Sequence, residues 1–193
     1  MTEQASAENK AQAGVVLTGV LAAASVATFV WAQRGPGFAW DPEAAQWIKD
    51  TIPGLKTIAA LVAWPVARQW PFSVAVLGVV LGLGASRHPR AAVEVLGAVA
   101  GGMLLYGALA ALPVEIAPSK ETLFYGTLFG GVSVSLAGDI KPQASAVLWI
   151  VTGVLTLLPG LALVSVGHPP SAWVISMLLV ASWLAGLHQL IRA

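Results

Sequence analysis

The chain has no cysteine, only three histidines and very little charge: 10% of its 193 residues are Asp, Glu, Lys or Arg, against 57% hydrophobic. Each shortage closes off a class of function. Without cysteine there is no disulfide framework, thiolate metal site or iron-sulfur cluster, and His88, His168 and His188 are too scattered to suggest haem or zinc. Neither a cofactor nor a metal is therefore expected. A formal net charge of +1, with no cluster of basic residues, leaves no electrostatic footprint for nucleic acid or for a polybasic lipid-binding segment. Charge is missing altogether over residues 142–191, where no Lys, Arg, Asp or Glu occurs.

What remains is apolar sequence in lengths that only a bilayer accommodates, with a mean hydropathy of +0.79. The expectation is an all-α, multi-pass integral membrane protein forming a single domain over residues 1–193. Residues 13–32 carry no charge and end near Trp31, an aromatic suited to the interface. Before them Glu3 and Glu8 outweigh Lys10, which is not the basic n-region of a cleaved signal peptide, so the run is read as a retained helix. After the breaker Gly35-Pro36-Gly37, residues 41–52 open with Asp41 as N-cap, Pro42 at the first helical position and Glu43 in the first turn. Ala44, Trp47, Ile48 and Ile52 share one face, which predicts a short amphipathic helix on the membrane surface with Trp40 and Trp47 as anchors.

Residues 55–85 are interrupted at 68–71 by Arg-Gln-Trp-Pro. An arginine at mid-bilayer is costly, so the break belongs near a boundary or inside the bundle, with Arg68 paired to a carboxylate. Residues 91–112, 122–137, 145–166 and 170–191 complete the set, giving about six spans if 55–85 crosses once. An even count puts both termini on one side. Lys10, Arg87, Arg90, Lys141 and Arg192 fall on that side, against Arg34, Lys49, Lys56 and Lys120 on the other, so both termini are assigned to the cytoplasm, of a bacterial plasma membrane. Glu94, inside the third span, is expected to reach the interface or pair with Arg90 one turn away. The pairs Gly78/Gly82, Gly97/Gly101 and Gly126/Gly130 have the small-x3-small spacing that lets helices approach closely, here read as internal packing. Trp64, Trp70, Trp149, Trp173 and Trp183 read as belt or packing residues.

Three polar groups fall on the predicted outer face: Glu115, the run Pro118-Ser119-Lys120-Glu121 at the head of the fourth span, and His168 with Ser171 in the turn Val166-Gly167-His168-Pro169-Pro170-Ser171. In this layout the chain resembles the type 2 phosphatidic acid phosphatase superfamily over roughly residues 41–187. The resemblance implies a bundle of about six helices with a phosphate site at the outer face. Family members carry Lys-x6-Arg-Pro, Pro-Ser-Gly-His and Ser-Arg-x5-His-x3-Asp. The last histidine attacks phosphorus, the Asp orients it, the other histidine protonates the leaving group, and the cations hold the phosphate. A neutral imidazole is a competent nucleophile, and cationic donors are needed where charge gathers on the equatorial oxygens.

Carried onto this chain, the resemblance puts His168 at the nucleophile position, with Pro170 and Ser171 matching and Ala172 where the Asp would stand. Leu161 and Ala162 occupy the Ser-Arg positions, Lys120-Glu121 replace Gly-His, and Leu105 and Leu112 take the first motif's Lys and Arg if Pro113 is its proline. No shift of register restores the arginines, because no Lys or Arg lies between Arg90 and Lys120 or between Lys141 and Arg192. Losing a single oxyanion donor already removes ~3–4 kcal/mol of transition-state stabilisation. The resulting expectation is a non-catalytic protein: an accessory subunit among other membrane protein subunits, or a pseudophosphatase that binds membrane lipids. The alternative is an active lipid-phosphate or polyprenyl-diphosphate phosphatase with His168 as nucleophile, Lys120 as clamp and Glu121 as acid. A simpler reading of His168 is an interfacial residue capping a turn ahead of a proline-started helix. A small transporter is disfavoured, since only Arg68 and Glu94 bring charge into the spans.

Overall fold

The computed structural model describes all residues except Met1, Gly35, Pro36, Val114, Gly138 and Ala193; the side chains of residues 2–11 and 191–192 also lie outside the description. The breaker Gly35-Pro36 and the side chains of Glu3, Glu8, Lys10 and Arg192 therefore fall outside it. The described residues form eight helices and no strand: α1 (Thr2–Ala32), α2 (Asp41–Thr51), α3 (Leu55–Arg68), α4 (Trp70–Ala85), α5 (Pro89–Ala110), α6 (Lys120–Leu136), α7 (Pro142–Ser165) and α8 (Pro170–Arg192). Proline starts many of them. Pro42, Pro71, Pro89 and Pro142 each stand in the first turn, where the missing N–H would have had no partner in any case.

Four helices are long and apolar enough to cross a membrane: Gln12–Ala32, Pro89–Ala110, Pro142–Ser165 and Pro170–Leu190. The count becomes five if α3 and α4 act as one broken span. Residues 55–85 are in fact two helices bent by 82° at Gln69, whose φ of 61° takes the backbone out of the helical region ahead of the Trp70-Pro71 step. Arg68 lies exposed beside this bend and makes no ion pair among the described residues, which corrects the expectation of a buried carboxylate partner. At 17 residues α6 spans only ~25 Å, short for the hydrocarbon core, yet it sits centrally, packed by α5, α7 and α8 and touched by α3 near its start.

Packing follows the small residues. A Cβ on Gly101 would meet the Trp183 ring at 1.9 Å, one on Gly126 would meet Val180 at 2.9 Å, and one on Gly130 would meet Leu184 at 2.4 Å. These glycines let α5 and α6 close against α8. Gly78 and Gly82 meet nothing within 4 Å and are exposed on α4, so only two of the three glycine pairs pack internally. The largest apolar core joins Val66, Phe72, Val95, Leu123, Phe124 and Val180. A smaller one packs Ile48 of α2 and Leu55 and Ala59 of α3 onto Ala162 and Val164 of α7, so α2 and α3 cover one end of the bundle. That end, the turn end, also carries the α7–α8 turn. The far end carries the start of α5 and the end of α6.

Candidate functional site

His168 belongs to a helix terminus. Its N–H donates to the Leu163 carbonyl at 3.1 Å and the Gly167 N–H donates to Val164 at 3.1 Å, with Gly167 at a φ of 110°. This is the paired 6→1 and 5→2 bonding of a Schellman cap, closing the last carbonyls of α7. The imidazole is exposed and makes no hydrogen bond to a described residue. The same device ends α4: His88 N–H donates to Leu83 and Arg87 N–H to Gly84, with Arg87 at a φ of 66°. In both places a histidine follows the left-handed residue and a proline follows the histidine.

The Pro118-Ser119 run is a cap as well. Ser119 Oγ accepts the Thr122 N–H at 3.2 Å and the Thr122 hydroxyl at 3.0 Å, while the Ser119 N–H donates to Ser176 Oγ at 2.7 Å on α8. Glu121 accepts a long bond from the Ser119 hydroxyl at 3.4 Å, within the first turn where a carboxylate suits the helix dipole. Lys120 Nζ lies 5.6 Å from the centre of the Phe124 ring, a cation–π contact along its own helix. His168, Lys120 and Glu121 are thus each placed at a helix end, and no hydrogen bond or ion pair among the described residues joins them.

A carboxylate does stand at the start of α8, and it comes from α2. Asp41 accepts the Ser171 N–H at 3.0 Å and the Ser171 hydroxyl at 2.5 Å, and also accepts the Phe38 N–H at 3.2 Å. Asp41 makes no side-chain cap to its own helix, correcting its expected N-cap role: it caps a helix 130 residues away and is itself buried. Gln33 ties the neighbouring loop in the same way, donating to the Ile116 carbonyl at 2.8 Å and accepting the Glu115 N–H at 2.8 Å. Glu115 is exposed and reaches this network through its backbone, not its carboxylate. Sequence marks Asp41 only as a local cap and Gln33 not at all, since their partners are distant in the chain.

A sizeable concavity lies elsewhere. A groove of about 700 Å³ runs between α1, α6, α7 and α8, lined by Gly126 and Gly130 of α6, Thr152 and Gly153 of α7, and Val180 and Leu184 of α8. Its volume falls within the ~300–1,000 Å³ of ordinary ligand sites. Small residues create it: Gly153 has no neighbour within 4 Å of a would-be Cβ, and the surrounding alanines and glycines leave the helices without bulk to fill the space. Its polar groups sit at the two ends. Thr156, whose buried hydroxyl has no partner among the described residues, stands towards the turn end, and His188 and Gln189 towards the far end. The glycine pair on α6 was legible in sequence as packing; that it also faces a gap left by α7 was not.

Charge inside the bundle gathers at the far end. Arg90 and Glu94 pair at 3.3 Å, as their i, i+4 spacing predicts, and Glu94 is only 5% exposed. His88 Nδ1 approaches Asp139 at 3.8 Å across the neighbouring loop. Trp183 donates from Nε1 to the Ala98 carbonyl at 2.9 Å, a packing residue, whereas Trp64, Trp70 and Trp149 are exposed. Among the described residues no three His, Cys, Asp or Glu side chains are grouped to hold a metal.

The fold and these sites define an all-helical chain compatible with an integral, multi-pass membrane protein. No family model, curated protein or solved structure matches it.

Proposed function

We propose that this chain is a non-catalytic membrane protein, similar in layout to the type 2 phosphatidic acid phosphatase superfamily, whose laterally open groove holds a membrane lipid. In this reading α1, α4, α5, α6, α7 and α8 cross the bilayer, both termini are cytoplasmic, and α2 and α3 lie along the outer interface. Five exposed tryptophans at the turn end, Trp31, Trp40, Trp47, Trp64 and Trp70, support an interface there. The 82° bend between α3 and α4 supports α3 lying flat while α4 crosses.

The observation that carries the proposal is the groove itself: a concavity of about 700 Å³ between four helices, lined mostly by small and apolar side chains, with three of the four helices long and apolar enough to cross a membrane. Acyl chains are what surround such a surface. The turn end argues in the same direction, because the polar groups that a phosphatase would use there are engaged as helix caps. Ser119 closes α6, Asp41 binds Ser171, and the His168 ring faces solvent without an orienting carboxylate. Lipid binding is favoured over a purely accessory role because the groove needs no second protein to define it.

Two assays on purified protein test this reading. Mass spectrometry from mild detergent is expected to find about one tightly held lipid per chain, in line with the size of the groove. Phosphate release from phosphatidic acid or a polyprenyl diphosphate is expected to stay at background in wild type and His168→Ala alike. Release that disappears in His168→Ala would overturn the proposal in favour of an active phosphatase.

A further inference from the structure

The Thr156 hydroxyl and the Trp173 indole N–H are both buried, and neither has a hydrogen-bond partner among the described residues. Thr156 is 5% exposed and lines the groove from α7. One turn further along the same face of α7 stands Gly160, and the Trp173 ring fills the place of its missing side chain: a Cβ there would collide with Nε1. Trp173 in turn precedes Met177, which lines the groove from α8, by one turn. The two unpaired groups therefore meet at the end of the groove nearer the α7–α8 turn. Polar side chains around them are satisfied: Thr152 shares a hydrogen bond with Ser133, and Ser176 donates to the Ala172 carbonyl at 2.7 Å. A helical threonine commonly returns its proton to the carbonyl four residues back, as Thr127 does at 2.8 Å, and Thr156 does not. A buried indole N–H ordinarily finds a partner too. With no water in hydrocarbon to supply one, the pair marks where a ligand's acceptor oxygen sits.

We propose that Thr156 and Trp173 hold the acyl ester carbonyls of a diacyl lipid whose chains lie in the groove. This rests on the lipid-binding reading above and specifies the ligand's chemistry. Charge selects first. Among the described residues no Lys, Arg, Asp or Glu lines the groove, and none occurs over residues 142–191, so nothing there would compensate a phosphate or carboxylate. A neutral oxygen is what the site accommodates. An indole N–H only donates, and an ester carbonyl accepts from it and from the threonine hydroxyl without bringing an unpaired donor of its own. Depth agrees with this choice. Gly160 lies five residues before the end of α7 at Ser165 and Thr156 nine, roughly 8 and 14 Å along the helix. In the transbilayer arrangement proposed above, the donors then straddle the inner edge of the interfacial layer, the level of lipid ester groups. The acyl chains run on from there past Val180 and Leu184.

The test uses full-length protein in nanodiscs holding equal amounts of diester and diether phosphatidylcholine, matched in headgroup and chain length. The ether lipid lacks only the two carbonyl oxygens. Mass spectrometry after transfer to mild detergent is expected to find the diester retained about tenfold over the diether, the size of two modest net hydrogen bonds. Thr156→Val, close to threonine in shape, and Trp173→Phe are each expected to reduce that ratio to about threefold, and the double variant to about one. Thr156→Ser, which restores the hydroxyl, is expected to keep the wild-type ratio. Because Thr156→Val removes an unpaired buried hydroxyl, its thermal midpoint in lipid-stripped detergent is expected to equal or exceed that of wild type, which separates loss of preference from loss of fold. Equal retention of the two lipids by wild type, or an unchanged preference in the double variant, overturns this inference and leaves the groove reading standing. Retention of neither lipid overturns both.

Discussion

His168 closes a helix end through its backbone, and Asp41 caps a helix other than its own. The histidine, conspicuous between two uncharged runs, terminates α7 through its backbone, while the aspartate that reads as a local cap reaches across the molecule to Ser171. Removing the Asp41 carboxylate leaves the Ser171 and Phe38 amides without acceptors in a buried site. Asp41→Ala is therefore expected to lower stability by about 2 kcal/mol in reversible unfolding from mixed micelles. His168→Ala is expected to change stability by less than ~0.5 kcal/mol in the same measurement. The left-handed positions before the two histidines give a paired test. Gly167→Ala meets no steric neighbour but must hold a φ of 110°, so it is expected to lose roughly 1–2 kcal/mol, whereas Arg87→Gly relieves a φ of 66° and is expected to gain up to ~1 kcal/mol. Capping chemistry is partly legible in sequence because glycine and proline mark it. A cap supplied from another helix is not, since nothing local to Asp41 names Ser171.

At the scale of the helix, hydropathy placed the long apolar elements to within a few residues, because uncharged runs and proline starts mark their ends, except that α1 begins at Thr2, well ahead of its apolar run. In residues 55–85 it marked the break at 68–71 but not its angle: the Gln69 backbone conformation sets the two helices at 82°. The bend depends on a single residue's φ, which composition does not encode. Glycine spacing was equally ambiguous: the same motif closes helices at Gly101, Gly126 and Gly130 but faces outward at Gly78 and Gly82. Gly101→Ala drives a methyl into the Trp183 ring and is expected to destabilise by about 1–3 kcal/mol. Gly82→Ala is expected to be neutral or to gain up to ~1 kcal/mol from helix propensity, measured in the same unfolding titration. If the two behave alike, the assignment of inner and outer glycine faces is wrong.

For the whole molecule, the described contacts divide labour between the two ends and the middle. The turn end is fastened by Asp41, Gln33 and Ser119 and bordered by tryptophans, the middle opens sideways into the groove, and the far end concentrates Arg90, Glu94 and Asp139. Catalytic residues at the turn would be conspicuous in sequence. A groove has no such signature, because it arises from what facing helices leave out. Its dependence on Gly153 makes the account testable in one experiment: the amount of lipid retained per chain by wild type, His168→Ala and Gly153→Trp after identical purification, read by mass spectrometry. The account predicts wild-type retention in His168→Ala and at least a fivefold loss in Gly153→Trp, whose indole would occupy the space now lined by Thr152, Thr156 and Val180. Retention that survives Gly153→Trp but fails in His168→Ala would contradict it and return the active role to the turn.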